Sequence, residues 1–495
     1  MKASVIGGGL AGITAALALA THGAEVTLLE AKPRLGGATM SFNRDGLVID
    51  TGQHVFLRCC TAYQGLLDRL GMTGNAPLQA RFDVPVLTPA RRTRLRRNRM
   101  PAPLHLLPTL LRYPLVSLAG RARVGQAALA MRGVNLTDPA TDQVRFGDWL
   151  ARHGQDERTR RALWDLFSVA SLNVPGDDAS LALAAKVVQT GLLGDSGAAD
   201  IGVPVLSLGE LHGAAAARKL TELGANIRLN TKVDAVEAAA GTGEPGFTVR
   251  LARGEDEDIH ADAVVIAVPH EAAARLMPPG ALPEETVQGW AGLGAAPIVN
   301  VHVIYDRKVM DVPFAAAVDS PVQWVFDRTR ISGMHARGDA GQYLAISLSA
   351  ADEYVDRSVA SLREEFIPAL ADLFPAAREA TVTEFFVTRE RRATFRGVPG
   401  TARLRPRAAT ELPGLVLAGS WTDTGWPDTM ESAVRSGLNA VLALRADGDG
   451  SPVGSGWTDR YTSGVSGTPV PEGTKANEVD NSAVSTADSV RGVRS

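Results

Sequence analysis

The stretch VIGGGLAGITAALALA, residues 5–20, decides the fold of this 495-residue chain. It begins in a short apolar run typical of a buried strand, and its spacing Gly7-x-Gly9-x-x-Gly12 opens an apolar helix over residues 10–21. The dinucleotide-binding fingerprint requires this strand–turn–helix order. Gly7 permits the tight turn, Gly9 lets the backbone approach a pyrophosphate, and Gly12 allows the helix to pack closely on the strand. The stretch therefore predicts a Rossmann-type unit that binds a dinucleotide.

The residues after the second predicted strand separate FAD from NAD, which the glycine pattern alone does not. The strand over residues 25–29 ends at Glu30, a position from which a carboxylate can bind a ribose hydroxyl. Arg34 can reach the pyrophosphate, and the pair Gly36 and Gly37 lets the chain pass close to the cofactor. This segment resembles the extended FAD motif of the flavin amine oxidase and phytoene desaturase superfamily.

A further match to that superfamily lies near the C-terminus. Residues 415–421, LVLAGSW, are followed by a predicted helix from Asp428. In the superfamily a strand–glycine–helix element of this kind returns to the flavin. The resemblance therefore implies that Gly419, Asp423 and Met430 also contact FAD.

The start of this C-terminal helix has the spacing of a capping box, with Asp428 as the predicted N-cap and Glu431 three residues later. The positive end of the helix would then lie at N1 and O2 of the flavin and stabilise its anionic reduced form. Ser420 stands where the superfamily often has an acidic residue that bonds the ribityl chain, and Asp423 is the predicted substitute. Relatives that tether FAD covalently use a cysteine in this element. None is present here, so the resemblance implies non-covalent FAD.

The predicted FAD-binding domain is discontinuous. Between the two terminal regions lie an amphipathic helix over residues 208–224, a strand over 226–229 and an apolar strand over 263–269. Val233 falls in a segment that resembles the one passing the adenine. The fold class is therefore predicted as α/β, an amine oxidase-like FAD domain with an inserted α+β substrate domain. The boundaries are 1–75, 205–285 and 405–447 for the FAD-binding domain, 76–204 and 286–404 for the substrate domain, and 448–495 for a disordered tail.

Composition excludes several other classes of protein. The net charge of −3 argues against nucleic acid as the main partner. Two adjacent cysteines, Cys59 and Cys60, exclude a disulfide scaffold and a four-thiolate metal site. Residues 3–24 carry no formal charge, but their glycines argue against a membrane span or a signal peptide. Since no other stretch reaches the roughly 18 apolar residues of a span, the sequence predicts a cytoplasmic protein.

Three stretches narrow the resemblance to one family. DTGQH at residues 50–54, PAPLHLLP at 101–108 and GSWTDTGWPDTMESAVRSG at 419–437 together resemble the hydroxysqualene dehydroxylases, also called squalene-associated FAD-dependent desaturases. The resemblance covers residues 1 to about 445. It implies a hydrophobic isoprenoid substrate and the reduction of hydroxysqualene to squalene, for hopanoid and sterol-like lipids. A carotenoid (phytoene-type) desaturase, a flavin amine oxidase and a non-catalytic prenyl-lipid carrier on the same fold remain alternatives.

Removing an allylic hydroxyl as water requires a proton on the oxygen and a hydride at the carbon, and reduced flavin supplies the hydride. His54 is the first candidate for the acid, since the ordinary pKa of histidine suits proton donation near neutrality, and Asp423 is the second. In the alternative interpretation, Gln53 and His54 only hydrogen-bond the loop or the flavin. Trp421 and Trp426 are candidates to line the ring and stabilise an allylic cation, or they simply pack. No motif identifies the electron donor.

An arginine-rich run precedes a leucine-rich stretch. Residues 91–99 contain six arginines, and residues 104–118 are a predicted helix. This order is typical of an interfacial membrane anchor, and equally of a solvated loop before a core helix. A C30 hydrocarbon partitions into lipid, so docking at residues 91–118 would let it enter without crossing water. Peripheral membrane contact is therefore one of two open interpretations of this segment.

Overall fold

The chain folds around two large β-sheets in a computed structural model that describes residues 1–238, 246–252 and 257–446. The tail predicted for residues 448–495 lies outside the described residues. The strands are β1 (Lys2–Ile6), β2 (Glu25–Leu29), β3 (Ser41–Arg44), β4 (Leu47–Asp50), β5 (Phe56–Leu57), β6 (Asp83–Leu87), β7 (Arg92–Arg96), β8 (Ile201–Gly202), β9 (Asn226–Arg228), β10 (Val233–Ala238), β11 (Phe247–Leu251), β12 (Ile259–Ala261), β13 (Ala263–Ile266), β14 (Ala296–Tyr305), β15 (Phe314–Ala317), β16 (Trp324–Asp327), β17 (Gln342–Leu348), β18 (Val382–Thr394) and β19 (Leu415–Leu417).

Helices cover both sheets and fill the connections between them. The α-helices are α1 (Leu10–Thr21), α2 (Thr61–Arg69), α3 (Leu107–Leu111), α4 (Leu118–Arg132), α5 (Pro139–Asp142), α6 (Phe146–Arg152), α7 (Glu157–Thr159), α8 (Asp165–Leu172), α9 (Leu181–Val188), α10 (Ala215–Glu222), α11 (His270–Leu276), α12 (Glu284–Gly289), α13 (Val359–Leu373) and α14 (Met430–Ala446). Short 3-10 or π turns lie at Thr73–Asn75, Leu104–Leu106, Arg160–Trp164, Gln189–Gly194, Gly209–Ala214, Trp290–Leu293, Met334–Arg337, Ala351–Glu353, Pro375–Arg378 and Ala402–Leu404. No helix in these described ranges is long and apolar enough to cross a membrane.

The first sheet is parallel and has the strand order β19-β13-β1-β2-β9. Its central strands are short apolar runs, as expected for a parallel sheet that is covered on both faces. The predicted helix over residues 10–21 and strand over residues 25–29 are confirmed residue for residue. A Cβ on Gly12 would lie 1.8 Å from the carbonyl oxygen of Gly7. Only glycine therefore allows α1 to pack this closely on the turn that follows β1.

The second sheet has the order β18-β14-β17-β16-β15-β6-β7 and is antiparallel except where β15 meets β6. One face packs on α13 through buried aliphatic residues such as Ile346 and Leu362. On β14, the Asn300 side chain donates to the Thr51 carbonyl at 3.0 Å. This bond fixes the DTGQH stretch against the sheet.

Each of the two sheets is built from strands of one predicted domain. Those of the parallel sheet fall in the regions predicted to bind FAD, and those of the second sheet fall in the regions predicted to bind substrate. The described residues nevertheless belong to one compact unit, so the two-domain boundaries remain a prediction.

The predicted leucine-rich helix over residues 104–118 is wrong. A 3-10 turn precedes the short helix α3, and a new helix, α4, begins only at Leu118. Pro108 is compatible with the first turn of α3, but Pro114 has no N–H to donate and ends the helical run.

Of the two open interpretations of residues 91–99, the solvated loop is wrong over residues 92–96, because these form β7, an edge strand paired with β6. Its arginines alternate with Thr93 and Leu95, and the Leu95 side chain is buried while Arg94 and Arg96 point outward to Asp83. This period of two is the signature of a strand with one buried face.

Candidate active site

The predicted phosphate-binding turn presents bare backbone around an open space. A Cβ on Gly9 would meet only the Cα atom of Gly37, at 3.8 Å, and a Cβ on Gly37 would lie 2.8 Å from the Cα atom of Gly9. Gly9 caps α1 without a side-chain hydrogen bond, and the first turn of α1 carries no acidic residue. The N–H groups of that turn are thus available to an anion. Gly7 and Gly36 have φ angles of 109° and 113°, which favour glycine, so the turn fits the pyrophosphate of a dinucleotide.

Glu30 lies beside this turn at the end of β2. Its two carboxylate oxygens accept hydrogen bonds from the Gly8 N–H and the Lys32 N–H, both at 2.7 Å. Its carbonyl accepts from the Thr231 N–H at 2.9 Å, which brings Val233, the first residue of β10, to the same edge. The predicted ribose role of Glu30 and the predicted adenine contact of Val233 remain predictions. Glu30 lies beside the turn, and Val233 lies two residues after Thr231, whose N–H bonds the Glu30 carbonyl.

Arg34 is exposed, and its Nε donates to the sulfur of Met40 at 2.9 Å. In this conformation the Arg34 guanidinium forms no ion pair with another described residue. The predicted contact of Arg34 with the pyrophosphate remains a prediction.

The C-terminal element joins the parallel sheet through β19, which pairs with β13, and its predicted return to the flavin remains a prediction. Gly419 has a φ of 137°, and its N–H donates to the Ser436 hydroxyl at 2.8 Å. Trp421 is buried, donates from its indole N–H to the Val268 carbonyl at 2.9 Å, and lies 4.8 Å from the ring of Trp290. These contacts assign Trp421 to packing in the core.

The predicted capping box at the start of α14 is wrong. The helix begins at Met430, and the Asp428 carboxylate accepts from the Phe395 N–H at 2.8 Å rather than from the helix. Thr429 takes the capping position, since its hydroxyl accepts from the Ser432 N–H at 3.3 Å. Helix α14 therefore begins at Met430, two residues later than predicted. Met430 is also the residue predicted to contact the flavin.

Glu431, the predicted partner in that box, instead caps another helix. Its carboxylate accepts from the Ala62 N–H at 3.2 Å and the Tyr63 N–H at 2.8 Å, in the first turn of α2. It also pairs with Arg435 at 2.7 Å. Burial raises the pKa of Glu431, and the Arg435 guanidinium opposes that rise. The buried Glu431 carboxylate, charge-balanced by Arg435 on the same helix, thereby joins α14 to the start of α2.

The DTGQH stretch, residues 50–54, is held by its aspartate. Asp50 is buried and forms an ion pair with Arg328. Its second oxygen accepts from the Ser41 hydroxyl at 2.5 Å and from the Leu208 N–H at 3.0 Å. A fully satisfied carboxylate of this kind gives a loop one well-defined conformation.

Three buried polar atoms beside this stretch have no hydrogen-bond partner among the described residues. They are Gln53 Oε1, His54 Nδ1 and His212 Nδ1. The other ring nitrogen of His212 bonds the Tyr63 hydroxyl at 2.7 Å. The two imidazoles lie against backbone carbonyl groups, His54 against that of Gly52 and His212 against those of Thr39 and Leu208. An unsatisfied buried polar group costs roughly 1–3 kcal/mol, so the Gln53 oxygen fits a hydrogen-bond donor on a polar ligand. An isoalloxazine ring, with hydrogen-bonding nitrogens and oxygens at its edge, is such a ligand.

The two predicted acids occupy different environments. His54 is half-buried, and burial lowers its pKa, so the imidazole is mostly neutral at pH 7 rather than near its midpoint. Asp423 is exposed, and its carboxylate accepts from the Gly425 N–H at 3.3 Å. The catalytic role of each remains a prediction.

Trp426 is already close to two cations. The Lys186 ammonium lies 4.9 Å and the Arg435 guanidinium 5.1 Å from its ring centroid. Two positive charges near the ring oppose the approach of a third, which weighs against the predicted role of Trp426 in stabilising an allylic cation.

Comparison with known proteins decides the family of the chain. The profile of the flavin containing amine oxidoreductases matches residues 10–444. The chain belongs to that family. It is an FAD-dependent oxidoreductase, as predicted from the sequence.

The relatives of this flavoprotein include enzymes with isoprenoid substrates in their names. A hydroxysqualene dehydroxylase of Rhodopseudomonas palustris is 30% identical over 90% of this chain and 98% of its own length. A 15-cis-phytoene desaturase of Narcissus pseudonarcissus is 25% identical over 90% of this chain and 80% of its own. A putrescine oxidase variant has a TM-score of 0.68 at 20% identity, covering 90% of this chain and 99% of that one. The predicted resemblance and amine oxidase-like fold are thus confirmed.

Sequence reasoning missed the pairs of residues that shape the flavoprotein's site. Two of the pairs join segments that are distant in sequence, so no local spacing indicates them. The third has the i,i+4 spacing of a helical ion pair, but the capping-box spacing competed for Glu431. The missed pairs are Tyr63–His212, Asp50–Arg328 and Glu431–Arg435.

Two buried histidines of the flavoprotein should make its stability depend on pH. Burial lowers the pKa of His212 to about 3, and burial with nearby arginines lowers that of His302 to about 3. Below pH 6.5 the unfolded chain binds protons that the folded chain does not, so stability falls with pH. The two histidines together should cost roughly 4 kcal/mol by pH 5.

Denaturant unfolding at neutral pH and at pH 5 measures this loss. His302→Asn should reduce this loss by about 2 kcal/mol, while His335→Asn, which removes an exposed imidazole, is the matched control. An unchanged pH dependence in His302→Asn would contradict the assignment.

Proposed function

We propose that this flavoprotein removes the hydroxyl group of hydroxysqualene and so forms squalene. The observation that carries the proposal is the end-to-end match to the hydroxysqualene dehydroxylase, 98% of whose length is covered. The phytoene desaturase matches at lower identity and over 80% of its length. The match to putrescine oxidase supports the shared fold alone.

An apolar cluster next to the DTGQH stretch supports a hydrocarbon substrate. Phe314 and Phe326, on neighbouring strands of the second sheet, are buried with Trp324 beside them. Val55, which follows His54 directly, and Leu57 pack against the same cluster. Apolar and aromatic residues beside a few polar groups have the composition of a site for an apolar ligand.

The reaction needs a hydride at the carbon and a proton on the departing oxygen. When bound and reduced, FAD supplies the hydride. The C–O bond breaks, the oxygen leaves as water, and a C–H bond forms at the same carbon. His54 is proposed to hold the proton, and Asp50, through its own bonds, keeps the stretch that carries His54 in place. Because burial lowers the His54 pKa, this proton is available to a growing fraction of molecules as the pH falls.

A phytoene-type desaturation is the second candidate, since the phytoene desaturase also matches 90% of the chain. It would use oxidised FAD and remove two hydrogens, instead of adding a hydride. The two reactions therefore differ in the oxidation state of flavin that each consumes.

Anaerobic mixing distinguishes these candidates. Reduced enzyme with hydroxysqualene is expected to yield oxidised flavin and one squalene per flavin. Oxidised enzyme with phytoene, or with putrescine, should keep its flavin oxidised. Flavin reduction by phytoene, with no squalene formed from hydroxysqualene, would overturn the proposal in favour of desaturation.

A further inference from the structure

Exposed apolar side chains concentrate in one segment of the chain. Among the described residues, six of the nine large hydrophobic side chains that are exposed fall between residues 100 and 129. They are Met100, Leu104, Leu107, Leu111, Leu118 and Leu129. Leu118 is 78% exposed and Leu129 63% exposed. A soluble monomer rarely groups its exposed apolar residues in this way, so the group indicates a contact surface.

The exposed leucines follow the helical geometry of α3 and α4. Leu107 and Leu111 are four residues apart and share one side of α3. Leu118 and Leu129 are eleven residues apart, about three turns, and share one side of α4. Each helix therefore presents an apolar stripe to the outside.

The same segment is strongly cationic. Residues 84–137 contain no Asp or Glu, and residues 91–132 contain ten arginines, although the whole chain has a net charge of −3. Arg91, Arg99 and Arg112 are exposed and form no ion pair with any other described residue. Apolar side chains with arginines around them complement an anionic lipid surface, in which acyl chains lie under negative head groups.

The inner side of the segment is firmly packed, so its outer leucines are not exposed by fraying. Tyr113 and Leu115 are buried, and the Tyr113 hydroxyl donates to the Ala162 carbonyl at 2.7 Å. Arg97 pairs with buried Asp200 at 2.6 Å. Tyr113 and Leu115 belong to the same apolar cluster as Phe326, so the exposed surface backs onto the apolar region beside the DTGQH stretch.

We infer that the surface formed by Met100, Leu104, Leu107, Leu111, Leu118 and Leu129, with Arg91, Arg99 and Arg112 around it, docks on a bilayer that contains anionic lipid. The leucines enter the boundary between head groups and acyl chains, and the arginines lie at the head groups. This surface rests on the outside of the bilayer. Lipid binding is measured without substrate, so the result does not depend on which substrate the enzyme uses.

Flotation of the full-length holoenzyme with vesicles tests this docking surface. Wild type is expected to float with vesicles of phosphatidylcholine and phosphatidylglycerol, and to be released from them by salt. Binding to phosphatidylcholine alone should be much weaker. The variant Arg91→Gln, Arg99→Gln, Arg112→Gln should bind the anionic vesicles roughly 100-fold more weakly, at about fivefold for each arginine.

A second variant tests the apolar part of the surface. Leu107→Gln, Leu111→Gln, Leu118→Gln should lose at least about tenfold in vesicle binding at unchanged flavin content, because three apolar side chains no longer enter the lipid. Leu229→Gln, Val359→Gln changes exposed apolar residues outside the surface and is the matched control.

Three results would overturn the inference. The first is failure of wild type to float with anionic vesicles, and the second is equal loss in the control variant. In the third, the leucine variant binds vesicles as strongly as wild type does, and the protein also binds soluble polyglutamate in a salt-sensitive way. This result would assign the surface to an acidic protein partner.

Discussion

Gly9→Val protein is expected to fold and to contain almost no FAD. The Cβ atom meets only Gly37, at 3.8 Å, so the protein itself accommodates a side chain there. The γ carbons of valine would instead fill the space above the first turn of α1, where a pyrophosphate would bind. We expect FAD affinity to fall on the order of 100-fold or more, equivalent to about 2.7 kcal/mol or more.

Flavin absorbance per protein and thermal unfolding of the same samples measure the effect. Gly74→Val, at a turn where a Cβ would meet no atom within 4 Å, is the matched control and should keep its flavin. Full flavin occupancy in folded Gly9→Val protein would refute the assignment of this turn.

His54→Gln and His54→Ala enzymes are expected to bind FAD and accept electrons, yet to react slowly with hydroxysqualene. General acid catalysis is typically worth about 10²–10⁴-fold, and glutamine donates a hydrogen bond but transfers no proton. In wild type the rate should rise as the pH falls below 6.5, because burial lowers the His54 pKa and the acid form is the active one. This pH dependence should be absent in both variants.

Single-turnover reoxidation of reduced enzyme by hydroxysqualene, with flavin occupancy measured in parallel, separates this role from a structural one. His335→Gln controls for the loss of an exposed imidazole. If His54→Gln reacts within a few-fold of wild type at full occupancy, the acid lies elsewhere and Asp423 is the next candidate.

Local sequence rules predicted the dinucleotide-binding start of this fold closely. The bounds of α1 and β2 followed from glycine spacing and apolar periodicity, which act over a few residues. The same rules failed where a distant residue competed. Glu431 has the spacing of a cap for α14, but the unsatisfied N–H groups of α2 bind its carboxylate instead.

The segment around β7 shows a different reason for failure. The alternation of Arg92, Arg94 and Arg96 with Thr93 and Leu95 is typical of a strand, whereas the density of positive charge is equally typical of a solvated loop. Its pairing with β6 neutralises part of that charge through Asp83, a residue that charge counting within the run does not include. The alternation of side chains, and not the charge of the run, therefore determines the secondary structure of this segment.

The parallel sheet also has a consequence for the way this chain must fold. β1 pairs with β13, and the Lys2 N–H donates to an oxygen of Asp262, 260 residues further along the chain. Strand β19, which completes that side of the sheet, is made later still. Contacts of such high sequence separation pay the entropy of closing a long loop before they gain any stability, so they form slowly. During synthesis, β1 and its glycine turn can therefore pair with β2 early, but the other side of β1 stays unpaired until β13, more than 250 residues later, has been made.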